Sequence, residues 1–151
     1  MSINRFIIWA VLIDSNDCKI YRYYKDSQDL ELIKELSHPE NKLRDIELTS
    51  DKPGRYRARD TGHGTFSQQT DPKEIKFDAF AREIAKELDH GRTKNAYGQL
   101  IIITLPHMHG LLFQHLNKHV ADLITHRIEK NAFGMTEQEL LAFLHKHTGR
   151  E

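Results

Sequence analysis

Two short runs of consecutive apolar residues govern what this chain can fold into: FIIWAVLI at Phe6–Ile13 and LIIITL inside QLIIITLP at Gln99–Pro106. A strand with one wet face alternates polar and apolar residues. A continuous apolar run needs cover on both faces, as in the interior of a sheet packed between helices. The eight residues of the first run fall well short of the roughly 20 that cross a bilayer. Asp14, Asn16 and Asp17 follow it with no small-residue cleavage site, so neither a membrane span nor a secretory leader is expected. Both runs read as buried strands.

The other elements follow from periodicity and punctuation. Asp14-Ser15-Asn16-Asp17 is a turn cluster, and CKIYRYY, with Ile20 alternating with aromatic positions, makes a second strand after it. LELIKEL, Leu30–Leu36, fits helix and strand equally, and its length before SHPE selects strand. From Asn41 to Gln69 the chain is polar and irregular, broken by KLRDIEL and by KPGRYRARD, where Pro53-Gly54 marks a turn and Tyr56 sits in a basic alternation suited to a short exposed strand. Asp71 as cap, Pro72 at the first helical position and Glu74 at the positive end of the dipole start a helix. Phe77, Phe80, Ala81, Ile84, Ala85 and Leu88 form its buried stripe, and Gly91 is its expected stop. HMHGLLFQHLNKH, His107–His119, reads as a short helix with Met108, Leu111, Leu112 and Leu116 on one side. VADLITHRI, Val120–Ile128, reads as a strand. Thr136 and Glu139 form a capping box for a last helix through Leu140, Leu141, Phe143 and Leu144. No repeat or linker divides the 151 residues, so one domain is expected. Three strands, helix, strand, helix, strand, helix is a ribonuclease-H-like order, which other mixed α/β folds share: the expectation is an α/β fold with a mixed sheet and a long polar loop inserted before the first long helix.

Chemistry is harder to read. Lys+Arg and Asp+Glu both count 22, so a nucleic-acid partner must meet a local patch rather than a global field. The ten histidines would add positive charge near pH 6. The single cysteine, Cys18, cannot form an internal disulfide and reads as a buried thiol in a reducing, cytoplasmic setting. Asp14 ends the first strand where metal-dependent nucleases of this architecture place a carboxylate, but IIITLPHMH supplies none at the end of the later strand. Asp14 therefore reads as a turn residue accepting backbone hydrogen bonds. His107-x-His109 and the i, i+4 pair His115/His119 have spacings that suit zinc, yet no cysteine or carboxylate lies near in sequence to complete a site. No metal or cofactor is expected.

WAVLIDSNDCKIYRY, then LSHPENKLRDIELTSDKPGR, FDAFAREIAKEL and the apolar strand before PHMHGLL resemble the bacterial host-attachment protein family, named for a role in attachment to host cells. HPE followed by SDKPGR is the most specific part, and the resemblance spans nearly the whole chain. It implies a relationship to the middle domain of archaeal and eukaryotic peptide release factors, in which a Gly-Gly-Gln loop precedes the long helix and positions water at the peptidyl-tRNA ester. The segment ARDTGHGTFSQQTDPKE, Ala58–Glu74, occupies the matching place. Gly62, His63 and Gly64 supply backbone that can approach an ester closely, and Gln68 and Gln69 are the candidates for placing water, although the adjacent Gly-Gly-Gln triplet itself is lacking.

Binding is the simpler expectation. Lys52, Arg55, Arg57 and Arg59 put four cations into one short stretch, and the three arginines alternate, so that on a strand they share a face. Tyr56 and Phe66 could stack on bases. A charged edge that only resists aggregation is the competing reading. The sequence thus predicts a translation-associated factor that binds tRNA or the ribosome through this stretch. Its alternatives are a non-enzymatic interaction protein acting indirectly in attachment, and a peptidyl-tRNA ester hydrolase.

Overall fold

A computed structural model of the chain describes residues 6–37 and 72–148. In chain order the elements are β1 (Ile8–Ile13), β2 (Asp17–Tyr24), β3 (Asp29–Ser37), α1 (Pro72–Thr93), β4 (Gln99–Thr104), α2 (Pro106–His115), α3 (Lys118–Ala121), β5 (Ile124–Glu129) and α4 (Glu137–Thr148). The strands form one mixed sheet in the order β3-β2-β1-β4-β5. β2 runs antiparallel to both its neighbours, whereas β1, β4 and β5 pair in parallel.

The apolar runs are the two central strands, β1 and β4. All six residues of β1 are buried, because a strand sends alternate side chains to opposite faces and both faces are covered. Trp9, Val11 and Ile13 pack with Leu100 and Ile102 of β4 against Phe80, Ile84 and Leu88 of α1, Met108 and Leu112 of α2 and Val120 of α3. Ile8, Ala10 and Leu12 pack with Ile101 and Ile103 against Leu140 and Leu144 of α4. Each large side chain buried this way contributes roughly 1.5–3 kcal/mol.

The order of elements is the expected one with one short helix added, and its boundaries shift for identifiable reasons. Gly91 does not stop α1. The helix runs to Thr93 and ends at Asn95, whose φ of 59° is left-handed. The Ala96 N–H donates to the Gly91 carbonyl at 2.8 Å and the Asn95 N–H to that of Arg92 at 3.0 Å, the paired bonds of a Schellman cap. Gly91 serves a different purpose: a Cβ there would sit 2.6 Å from the Trp9 ring and 3.1 Å from that of Tyr97. Its missing side chain lets α1 lie against this pair, whose ring centroids are 4.5 Å apart, while the Tyr97 hydroxyl donates to the Leu88 carbonyl at 2.6 Å.

The stretch His107–His119 is not one helix. Leu116 turns extended, with φ −76° and ψ 139°, and the Asn117 side chain then accepts the Val120 N–H at 2.9 Å to start α3. Val120 and Ala121 consequently belong to a helix, and β5 begins only at Ile124. In β3, Tyr21 pairs with Leu32 and Ile20 with Lys34, so Ile33 is the extra residue of a bulge. That irregularity, with Leu32 and Ile33 both partly exposed, explains why its pattern fits two periods. The capping box forms as expected: the Thr136 N–H donates to Glu139 Oε1 at 2.9 Å and the Glu139 N–H to Thr136 Oγ1 at 3.1 Å.

Gly91→Ala should destabilise the protein by about 1–3 kcal/mol through overpacking against Trp9, overriding the roughly 1 kcal/mol that alanine gains over glycine in a helix. Denaturant unfolding followed by Trp9 fluorescence checks this. A midpoint unchanged or raised would show that the Trp9–Gly91 contact is not tight.

Candidate functional site

The carboxyl ends of β1 and β4 lie side by side, where an α/β sheet commonly binds ligands. Here those ends are tied off by structure. Asp14 Oδ1 accepts the backbone N–H groups of Asn16 at 2.8 Å and Asp17 at 2.7 Å, the turn role expected of it. Thr104, fully buried, donates its hydroxyl to the Ile13 carbonyl at 2.8 Å and so clamps the ends together. Cys18 faces the core, and burial, followed by the charges of Asp14, Glu87 and Asp17, pushes its thiol far above the ordinary range. A thiol so raised is a poor nucleophile.

The expected binding and catalytic residues fall elsewhere. Lys52, Arg55, Arg57, Arg59, Gly62, His63, Gly64, Gln68 and Gln69 all lie outside the described residues, as do His38, Tyr56, Phe66 and the capping Asp71. What the structure does describe is the ground they stand on: β3 ends at Ser37 before them and α1 begins at Pro72 after them. The opening turns of α1 are pinned to α2. His107 Nε2 lies 3.0 Å from Glu74 Oε2, and its ring meets Phe77 edge-on with centroids 5.9 Å apart. His115 Nε2 lies 2.9 Å from Asp78 Oδ1, while Arg82 holds the other oxygen of Asp78 at 3.1 Å. Further along, Asp89 accepts from Asn117, the cap of α3, at 2.9 Å and from Arg92 at 3.0 Å, contacts that hold its carboxyl below the usual range.

The histidine spacings therefore resolve differently from either zinc pair. His107 and His115 each meet a carboxylate of α1 that is remote in sequence, which a local reading could not supply. Among the described residues no group of three or more histidine, cysteine or acidic side chains is arranged to hold a metal ion.

His109 takes a third course. Its Nε2 is enclosed and has no hydrogen-bond partner among the described residues, and its ring meets Phe113 at a tilt of 50° with centroids 4.6 Å apart. The Arg127 guanidinium lies over the same phenyl ring, 4.4 Å from its centroid. A similar arrangement occurs across the sheet: the Lys130 ammonium lies 5.7 Å from the Phe143 centroid, and the His147 ring meets that ring at a tilt of 47° with centroids 4.2 Å apart. Two cation–ring–histidine stacks thus flank β5. Sequence reasoning missed them because each joins residues from separate elements. No local pattern announces them: His126, Arg127 and Lys130 follow the partly buried Leu123–Ile124 pair without a regular spacing.

Burial first, then the positive charge of Arg127, depresses the His109 pKa, with Glu129 pulling the other way. A depressed histidine favours its neutral form in the folded state, so its contribution to stability is complete above the unfolded value of 6.5 and is lost as pH falls through the folded one. His109→Phe, which keeps the ring contact with Phe113, should flatten that part of the pH–stability profile below about pH 6.5. Urea unfolding of both proteins between neutral pH and pH 5 measures it. Parallel profiles would contradict the assignment.

The fold and these contacts define a three-layer α/β protein: a five-stranded mixed sheet with helices on both faces, interrupted between β3 and α1 by a polar, locally basic segment. The chain belongs to the family described as "Protein required for attachment to host cells", whose match spans residues 9–144. A comparison with curated proteins found no match. Among solved structures, one titled "Archaeal protein" aligns with 97% of this chain at 12% identity and a TM-score of 0.48. The chain spans 38% of that protein's length. No helix among the described residues is long and apolar enough to cross a membrane.

Proposed function

We propose that this protein is a cytoplasmic, translation-associated RNA-binding factor, in which the α/β body presents the segment between β3 and α1 to tRNA or the ribosome. The observation that carries the reading is the basic stretch Lys52, Arg55, Arg57 and Arg59, placed in the segment that ends where α1 begins, with Tyr56 between its arginines and Phe66 further along. Arginines at alternate positions suit phosphates spaced along a strand, and neighbouring aromatics suit bases. Family membership supports it through the likeness of that family to the release-factor middle domain. The succession of three strands, helix, strand, helical pair, strand and helix supports a ribonuclease-H-like topology for the body. The pairs Glu74–His107 and Asp78–His115 give the segment a firm landing, because they fix the opening turns of α1 against α2.

The family description favours a second reading, an interaction protein with a role in attachment, and we take that role to be indirect, from inside the cell. Cell fractionation separates indirect from direct action: this reading places the protein in the cytosolic fraction, and recovery at the cell surface would contradict it.

Replacing Arg55, Arg57 and Arg59 together with alanine should weaken RNA binding and lower the slope of log affinity against log salt by about 2, three phosphate contacts at roughly 0.7 each for a single strand. Fluorescence anisotropy with a labelled oligouridylate over a salt series measures both quantities. Wild-type protein that does not bind RNA, or a triple variant that binds with unchanged slope, would overturn the proposal.

A further inference from the structure

We propose that the β5 edge of the sheet, with the stacked cations on its two sides, is a second RNA-contact surface that grips phosphates independently of the segment between β3 and α1. The inference rests on the RNA-binding reading above and adds a surface to it.

Among the described residues β5 is the last strand of the sheet and pairs only with β4. Its register skips Thr125, whose hydroxyl reaches back to the Leu100 carbonyl at 3.3 Å, and this bulge decides which way the later side chains point. Ile128 turns to the α4 face of the sheet, and the guanidinium of Arg127 reaches Phe113 of α2 on the other. The exposed positions of β5 are then Thr125, Arg127 and Glu129. Lys130, just past the strand, is also exposed, and its backbone N–H is fixed by the Thr104 carbonyl at 3.1 Å. On the α4 side the exposed Lys146 and His147 belong to that helix's basic last turn.

The usual duty of charges on an edge strand is to stop other strands from pairing there. Freely solvated side chains are enough for that. Here Arg127 and Lys130 are each laid on a phenyl ring that is itself half-buried, with a histidine against the same ring. Neither cation has a carboxylate within ion-pair distance among the described residues, although Glu129 lies between them in sequence. The Arg127 guanidinium, held 4.4 Å from the Phe113 centroid, has less freedom to lose when a phosphate docks than a freely solvated one. The Arg127 guanidinium and the Lys130 ammonium on opposite sides of one strand, with Lys146 beyond, suit a polyanion that crosses the sheet edge. An RNA strand, with phosphates at regular spacing and no need for an apolar groove, matches this chemistry.

The test compares wild type, Arg127→Gln/Lys130→Gln and Arg127→Lys/Lys130→Arg by anisotropy on the same oligouridylate, with thermal unfolding as a fold control. The glutamine pair should bind on the order of tenfold more weakly at about 0.1 M salt, with the salt slope lowered by about 1.4, two contacts at roughly 0.7 each. The charge-keeping pair should retain nearly wild-type affinity. Photo-crosslinking of wild type to 4-thiouridine RNA should also label peptides from β5 and the last turn of α4, which reads the surface even if the glutamine pair folds poorly. If the glutamine pair keeps wild-type affinity and slope, or no crosslink falls on these peptides, while Arg55→Ala/Arg57→Ala/Arg59→Ala abolishes binding, this inference fails and the RNA reading stands. If wild type binds no RNA, or binds only anionic vesicles, both fail.

Discussion

Everything in this fold depends on the double-sided burial of β1 and β4. Two strands whose apolar side chains point to both faces can exist in water only if each face is roofed, and the chain supplies roofs of unequal size. α1, α2 and α3 cover one face, and α4 covers the other with little more than Leu140, Leu144 and their neighbours. The crossovers follow from that demand, since parallel neighbours such as β1 and β4 cannot be joined by a tight turn and require a long connection over the sheet. The polar segment between β3 and α1 sits within such a connection, where added length costs little because loop-closure entropy grows slowly.

Helix contacts to this core are set by small details. Gly91 lets α1 approach Trp9, and Tyr97 then hooks the end of the helix through the Leu88 carbonyl. On the same face, Glu74 and Asp78 meet His107 and His115, and Asp89 meets Asn117. The long helix is thereby held to α2 at its start and to the α3 cap near its end. Whatever the preceding segment binds, it hands the load to a helix that is fixed at both ends.

Much of the fold could be read from the sequence because it is written in local patterns. The apolar runs, the 3.6-residue stripe of α1, the Thr136–Glu139 box and the Asp14 turn each need only neighbouring residues to be recognised. The errors came where distant groups decide. Gly91 resembles a helix stop until Trp9 is brought against it, and VADLITHRI resembles a strand until Asn117 caps a helical turn through Val120. Histidine partners were invisible for the same reason, since their carboxylates lie on α1. The cations around β5 carried no signal of their own, because Phe113 and Phe143 are brought to them only by folding. The residues expected to bind or to place water could be named from composition and resemblance, and they fall outside the described residues, so for them the sequence remains the source.

The proposed contact with a large polyanion rests on basic residues in one segment of the sequence and at one edge of the described sheet. The most direct measurement is sedimentation of the intact protein with purified ribosomes through a sucrose cushion at low and at high salt. Translation association predicts that the protein pellets with ribosomes at low salt and returns to the supernatant at high salt. Protein left in the supernatant at low salt, or pelleting that salt does not change, would contradict it.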